Sequence, residues 1–300
     1  MKRFFLFFLL ILNCFHADPA EGRSLDRVSE KRVPQRIVSL TLGTDEILLS
    51  LVDPKRILAV TRFAADPAIS NVAEAARAIP NKISQAGAEQ VVALAPDMVL
   101  AASYTSADVV KQLTDVGLPL VRLELFSSIE GIKENIRAVG LAVGAPERAE
   151  EIIAKMDRRL RNLSEPVSTI EDRPAVLSYG PDGSTAGRET TFDEMVARAG
   201  GRNLAAEAGL IGHRKISLET VVTLDPEVII LSAWQPEAPN FEHLLLTHPA
   251  LKGVSAVKEK RVYVIPERQL TTVSQYIVDG TEALARLIHP ALFKPTLFEP

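Results

Sequence analysis

Cysteine is all but missing from the 300-residue chain: Cys14 stands alone, so no internal disulfide can form and the fold must hold by packing. Aromatic residues make up only 5% of the chain and tryptophan occurs once, at Trp234, which weighs against a large flat macrocyclic ligand. A basic surplus is also lacking. Lysine and arginine number 34 against 38 acidic residues, a net charge of −4, so there is no cationic footprint of the kind nucleic acid needs and nucleic-acid binding is excluded. Nucleotide motifs are missing too. Gly43 has neither G-x-G-x-x-G nor G-x-x-x-x-G-K-[ST] around it, and "GPDGSTAG" (180 to 187) lacks the G-x-S-x-G spacing of a nucleophile elbow and reads as a turn. The histidines His16, His213, His243, His248 and His289 are scattered, so no zinc or manganese cluster is evident. What remains is 47% hydrophobic and 24% charged, enough for one large domain or two lobes with real cores.

The N-terminus reads as an address. Lys2 and Arg3 precede the apolar run Phe4 to Leu12, a positive region followed by a stretch too short to span a bilayer, as in an export signal occupying residues 1 to 20. Cys14 follows in "ILNC", which is similar to a bacterial lipoprotein box and would provide a lipid anchor. Asn13 departs from the small residue usual there, and ordinary cleavage near Ala17 or Ala20 is the alternative. Residues 21 to 35 are polar, without periodicity, and fit a leader or tether.

From residue 36 strand and helix signals alternate. Apolar runs "RIVSL" (36 to 40), "RILAVT" (56 to 61), "DMVLAAS" (97 to 103), "LPLVRLE" (118 to 124), "RPAVLSYG" (173 to 180), "EVIILSAW" (227 to 234) and "RVYVI" (261 to 265) read as strands. Between most of them lie helical patterns closed by glycine, such as "SADVVKQLTDVG" and "TTFDEMVARAGG". The class is α/β with mainly parallel sheets. An internal echo divides it: "AEQVVALAPDMVLAAS" (88 to 103) and "LETVVTLDPEVIILSA" (218 to 233) align without a gap, each a short helix stopped by proline before a buried strand. The expected architecture is two α/β lobes, residues 36 to 145 and 165 to 300, bridged by a single long helix over 146 to 164. Pro146 suits a first helical turn, and a segment poor in Gly and Ser is no flexible linker.

These segments, with "TFDEMVARAGGRNLA" and a C-terminal "DGTEALARLIHP", resemble the substrate-binding proteins of ABC importers for cobalamin, haem and ferric siderophores, over about Arg36 to Pro290. The resemblance implies a monomer that does no chemistry. It implies a ligand cleft between the two lobes, capture of a metal chelate or corrinoid there, and delivery to an inner-membrane ABC permease. It also implies that Glu89 and Glu219, at matched places in the two echoed units, pair with permease arginines. Each also sits in a helix's first turn, where the dipole alone favours negative charge.

Ligands of open α/β sheets lie beyond the carboxyl ends of strands. That rule selects Thr41, Leu42 and Gly43, Arg62 and Phe63, and Ser103 and Tyr104 in one lobe, and Tyr179, Arg188, His213, Trp234, Gln235 and Arg268 in the other. The start of the helix at Thr41 would form one cleft wall and offer N–H donors. Arg62, Arg188 and Arg268, if convergent, would suit an anionic chelate through paired guanidinium donors. The competing readings are an exported α/β enzyme of the same architecture and a free-metal binding protein.

Overall fold

The computed structural model describes residues 32–84, 87–232 and 238–293. The signal segment with Cys14, and the pair Trp234 and Gln235, lie outside the described residues. The strands are β1 (Ile37–Ser39), β2 (Ile57–Thr61), β3 (Asn81–Ile83), β4 (Met98–Ala102), β5 (Leu120–Leu123), β6 (Ala175–Ser178), β7 (Ser184–Ala186), β8 (Arg202–Asn203), β9 (His213–Lys215), β10 (Val228–Ser232) and β11 (Val262–Ile265). One parallel sheet has the order β3-β2-β1-β4-β5, and a second parallel sheet the order β11-β10-β6-β8. Each is the core of one lobe. Their central strands are buried on both faces, as the unbroken apolar runs require.

Every strand-like run forms a strand, trimmed at its polar ends. The others, β3, β7, β8 and β9, are two or three residues long and carry polar side chains, so no apolar run marks them. The stretch 180 to 187 is therefore only half a turn. The N–H of Gly183 donates to the Gly180 carbonyl at 2.9 Å, and β7 then pairs antiparallel with β9.

The echoed units are one device used twice. In each a short helix, Ala88–Ala93 or Leu218–Leu224, precedes a left-handed residue, Ala95 at φ 47° or Asp225 at φ 45°, then proline, an acidic residue and a central strand. The acidic residue clamps the neighbouring strand. Asp97 accepts from the N–H groups of Gln35 and Arg36, both at 2.8 Å, just before β1. Glu227 accepts from the N–H of Ala175 at 2.6 Å, at the start of β6.

The bridging helix runs Pro146–Val167, 22 residues or about 33 Å, past the end that periodicity implies. Pro166 lies in its last turn and Val167 is still buried there. Arg159 fixes this helix to the C-terminal helix Ile277–Ile288 through Glu282, with two bonds of 2.9 Å, and Asp279 at 2.6 Å. One apolar cluster continues from Ile37 and Leu100 in the first sheet, through Met156 and Leu160 of the bridging helix, to Val176 and Ile230 in the second. Two lobes sharing a core in this way have little freedom to swing apart.

Candidate functional site

The carboxyl ends of β4 and β5 face those of β6, β10 and β11 across a cleft of about 760 Å³. Tyr104 and Phe126 line one side, Tyr179 and Phe192 the other, and Leu270, Thr271 and Val273 lie between them. Tyr104 is 59% exposed, and its ring tilts against Phe126 at 5.1 Å between centroids. Its hydroxyl turns inward onto Thr41. Burial there, opposed by the Thr41 hydrogen bond and reinforced by Asp45 and Glu46, raises the phenol's pKa, so Tyr104 presents a neutral aromatic face. Tyr179 is buried and stacks on Phe241 at 6.1 Å, so it is anchored within its own lobe.

Ser103, Tyr104, Tyr179 and His213 all line the cleft. Thr41, Leu42 and Gly43 lie beneath it. Thr41 and Thr44 close a capping box on each other, which takes up the N–H groups of these two residues. Gly43 lies so close to the floor that a Cβ there would come within 2.6 Å of Val273 Cγ2, and only glycine allows the approach. The three arginines do not converge. Arg62 is exposed and lies over the Phe63 ring at 4.9 Å, and neither residue lines the cleft. Arg188 Nε donates to the Ala206 carbonyl at 3.1 Å, and an Arg268 guanidinium nitrogen donates to the Pro67 carbonyl at 3.1 Å. Backbone carbonyls outcompete the cleft for these donors.

Beneath the floor is a feature the sequence reading passed over: the adjacent carboxyls Asp45 and Glu46, both buried on the first helix, Leu42–Leu51. Glu46 joins the lobes. One oxygen accepts from the backbone and side-chain nitrogens of Asn71, both at 2.9 Å; the other accepts from Thr272 Oγ1 at 2.8 Å and Ser274 Oγ at 2.5 Å. Asn71 reaches on to the Arg268 carbonyl at 2.7 Å. On the other flank Glu194 accepts from the N–H of Ile129 at 2.6 Å. Polar residues inside an apolar-looking helix were the available signal: "GTDEILL" places two acids where periodicity expects the core.

Asp45 accepts from Thr61 N at 3.1 Å and Thr61 Oγ1 at 2.5 Å, while its other oxygen has no partner among the described residues. Burial outweighs the hydrogen bonds from Thr61 and, with repulsion from Glu46, pushes its pKa up to about 7. The folded state therefore keeps a proton that the unfolded chain releases near 3.8, the ordinary value for aspartate. Stability from this group is complete below pH 4 and is lost as pH rises to about 7. A shift of this size is worth about 4 kcal/mol. Asp45→Asn is expected to flatten that decline, measured as urea unfolding free energy from pH 4 to 8. An unchanged pH slope in the variant would contradict the assignment.

Metal-ligating groups do not gather: among the described residues no three His, Cys, Asp or Glu side chains could hold an ion. His248 Nδ1 caps the N–H of Ala250 at 3.2 Å, and His289 Nε2 meets the Gly200 carbonyl at 3.1 Å.

Two parallel-sheet lobes, a rigid connecting helix and an aromatic-lined cleft at the strand ends define a two-lobe solute-binding protein. Residues 37–269 match the Periplasmic binding protein family, and the chain belongs to it. It is 28% identical to the ABC transporter substrate-binding lipoprotein YvrC of Bacillus subtilis over 275 residues, 89% of this chain and 84% of that protein. It is 26% identical to a cobalamin-binding protein of Halobacterium salinarum over 261 residues, 85% of this chain and 70% of the relative. Among solved structures it is similar to the periplasmic heme-binding protein RhuT from Roseiflexus sp. RS-1, with TM-score 0.75 and 26% identity, covering 86% of this chain and 99% of the other. The family is one of exported substrate-binding transport proteins with a small-molecule ligand and a permease partner; its members are not enzymes.

Proposed function

We propose that the protein captures a metal chelate or corrinoid, from the class spanning ferric siderophores, haem and cobalamin, and hands it to an ABC permease in the inner membrane. The observation that carries this is the pair of aromatic faces, Tyr104 with Phe126 and Tyr179 with Phe192, opposed across a cleft at the strand ends. The cobalamin and heme ligands named for the relatives support the same class. Residues from about 36 to 145 and from about 165 onward would act as the two jaws, and the shared core would keep closure small. Glu89 and Glu219 would be the docking carboxylates. Cys14 would carry a lipid anchor, in keeping with the lipoprotein name of the Bacillus relative.

Fluorescence of the single tryptophan, Trp234, titrated with ferric siderophores, haemin and cobalamin is expected to report submicromolar binding of one class. Silence with all three would remove the proposal. Tyr104→Ala is expected to weaken the affinity for that ligand about tenfold by removing the open stacking face. An affinity unchanged by Tyr104→Ala would place the ligand elsewhere.

A further inference from the structure

The cleft's charge is one-sided. Its wall carries Glu124, Asp182, Glu189 and Glu267, and the described lining has no lysine or arginine. Two of the four acids are paired from outside: Asp182 with Lys215 at 2.8 Å, and Glu124 with Arg122 at 3.4 Å. Glu189 and Glu267 have no ion-pair partner among the described residues. Glu267 is half-buried, just beyond β11. Among the described lining residues His213 is the only one with a basic side chain. An anion entering here would give up hydration for a site that offers carboxylates and no compensating guanidinium.

We infer that the cleft takes an electroneutral or cationic chelate, one rimmed by amides or hydroxamates, and turns away ligands whose rim bears carboxylates or catecholates. This inference rests on the capture reading and narrows it. The carboxylates act at the rim of an apolar face: they repel like charge and accept hydrogen bonds from amide N–H groups, while the aromatic rings hold the ligand's plane. Selectivity then comes from what the site repels as much as from what it contacts.

The test is equilibrium dialysis of the purified chain against five probes: electroneutral cyanocobalamin, cationic diaquacobinamide, a cationic ferric trihydroxamate, haemin and a trianionic ferric tris-catecholate. Retention of neutral or cationic probes with at least about tenfold preference over the anionic ones, shrinking as salt is raised, is the expected result. Glu189→Gln combined with Glu267→Gln is expected to reduce that preference by severalfold, chiefly by tightening retention of haemin and the tris-catecholate. Tighter retention of haemin or the tris-catecholate would overturn the charge inference and leave the capture reading standing. A preference that survives the double variant and high salt unchanged would also overturn it, because its source would not be these carboxylates. Retention of none of the five would overturn the capture reading itself, and the inference with it.

Discussion

Glu89→Ala combined with Glu219→Ala is expected to abolish ligand delivery while leaving ligand affinity within about twofold of the wild type. Each glutamate is the second residue of its helix, Ala88–Ala93 or Leu218–Leu224, exposed and at the same place in its lobe. Neither has an ion-pair partner among the described residues. Ser217 holds Glu219 ionised, its hydrogen bond lowering the carboxylate's pKa. Neither residue lines the cleft, so capture does not depend on them. Truncating one side of a desolvated interfacial charge pair costs about 2 kcal/mol or more, roughly thirtyfold, and two such losses on a two-lobed contact compound. Uptake of labelled ligand by vesicles carrying the permease would show it, with each single variant intermediate. Thermal unfolding should not move, since exposed carboxylates outside any network contribute little to stability. Full uptake with the double variant would leave Glu89 and Glu219 as first-turn residues serving only their helix dipoles.

The fold was legible where burial is continuous. Long apolar runs such as "EVIIL" and "DMVLAA" can only be central parallel strands, and the gap-free echo placed one in each lobe. Short edge strands such as β8 and β9 escaped, because two or three polar residues paired on one side leave no pattern in hydrophobicity. In the cleft, the strand-end rule found Ser103, Tyr104 and Tyr179, since topology alone decides which loops meet there, while His213 lines it from the start of β9. It could not say which loop side chains turn inward. Arg188 and Arg268 follow strands as Tyr104 does, yet each is turned toward a nearby carbonyl, a matter of local geometry to which spacing is blind. The partners of the buried Glu46 were hidden for a related reason: Thr272 and Ser274 lie more than two hundred positions away, and nothing local marks four donors aimed at one carboxylate.

Glu46→Ala is expected to lower stability by about 3–4 kcal/mol, because it strips the acceptor from four donors that are already out of water. For a chain of this size that is a melting temperature lower by roughly 10 °C. The loss is not confined to one lobe. Asn71 belongs to the first lobe and the segment Thr272 to Ser274 follows β11 of the second, so the same carboxylate sets the seam on which the floor residue Val273 rests. Gln275 adds to the seam by donating to the Glu46 carbonyl at 2.9 Å, a bond the substitution leaves in place. Glu46→Gln separates charge from connectivity. One amide oxygen still accepts from Asn71, and the Thr272 and Ser274 hydroxyls, which accept as well as donate, can rotate to receive the amide N–H. Burial raises the Glu46 pKa against hydrogen bonds from Ser274, Asn71 and Thr272, so replacing the acid by a neutral amide also removes a desolvation cost. Glutamine should therefore recover most of the stability that alanine loses. Ligand affinity should follow the same order, falling in the alanine variant as the floor loosens and returning with glutamine. Melting curves of the alanine variant that coincide with the wild type would mean that the seam is held by the shared apolar core alone, with Glu46 contributing nothing to it.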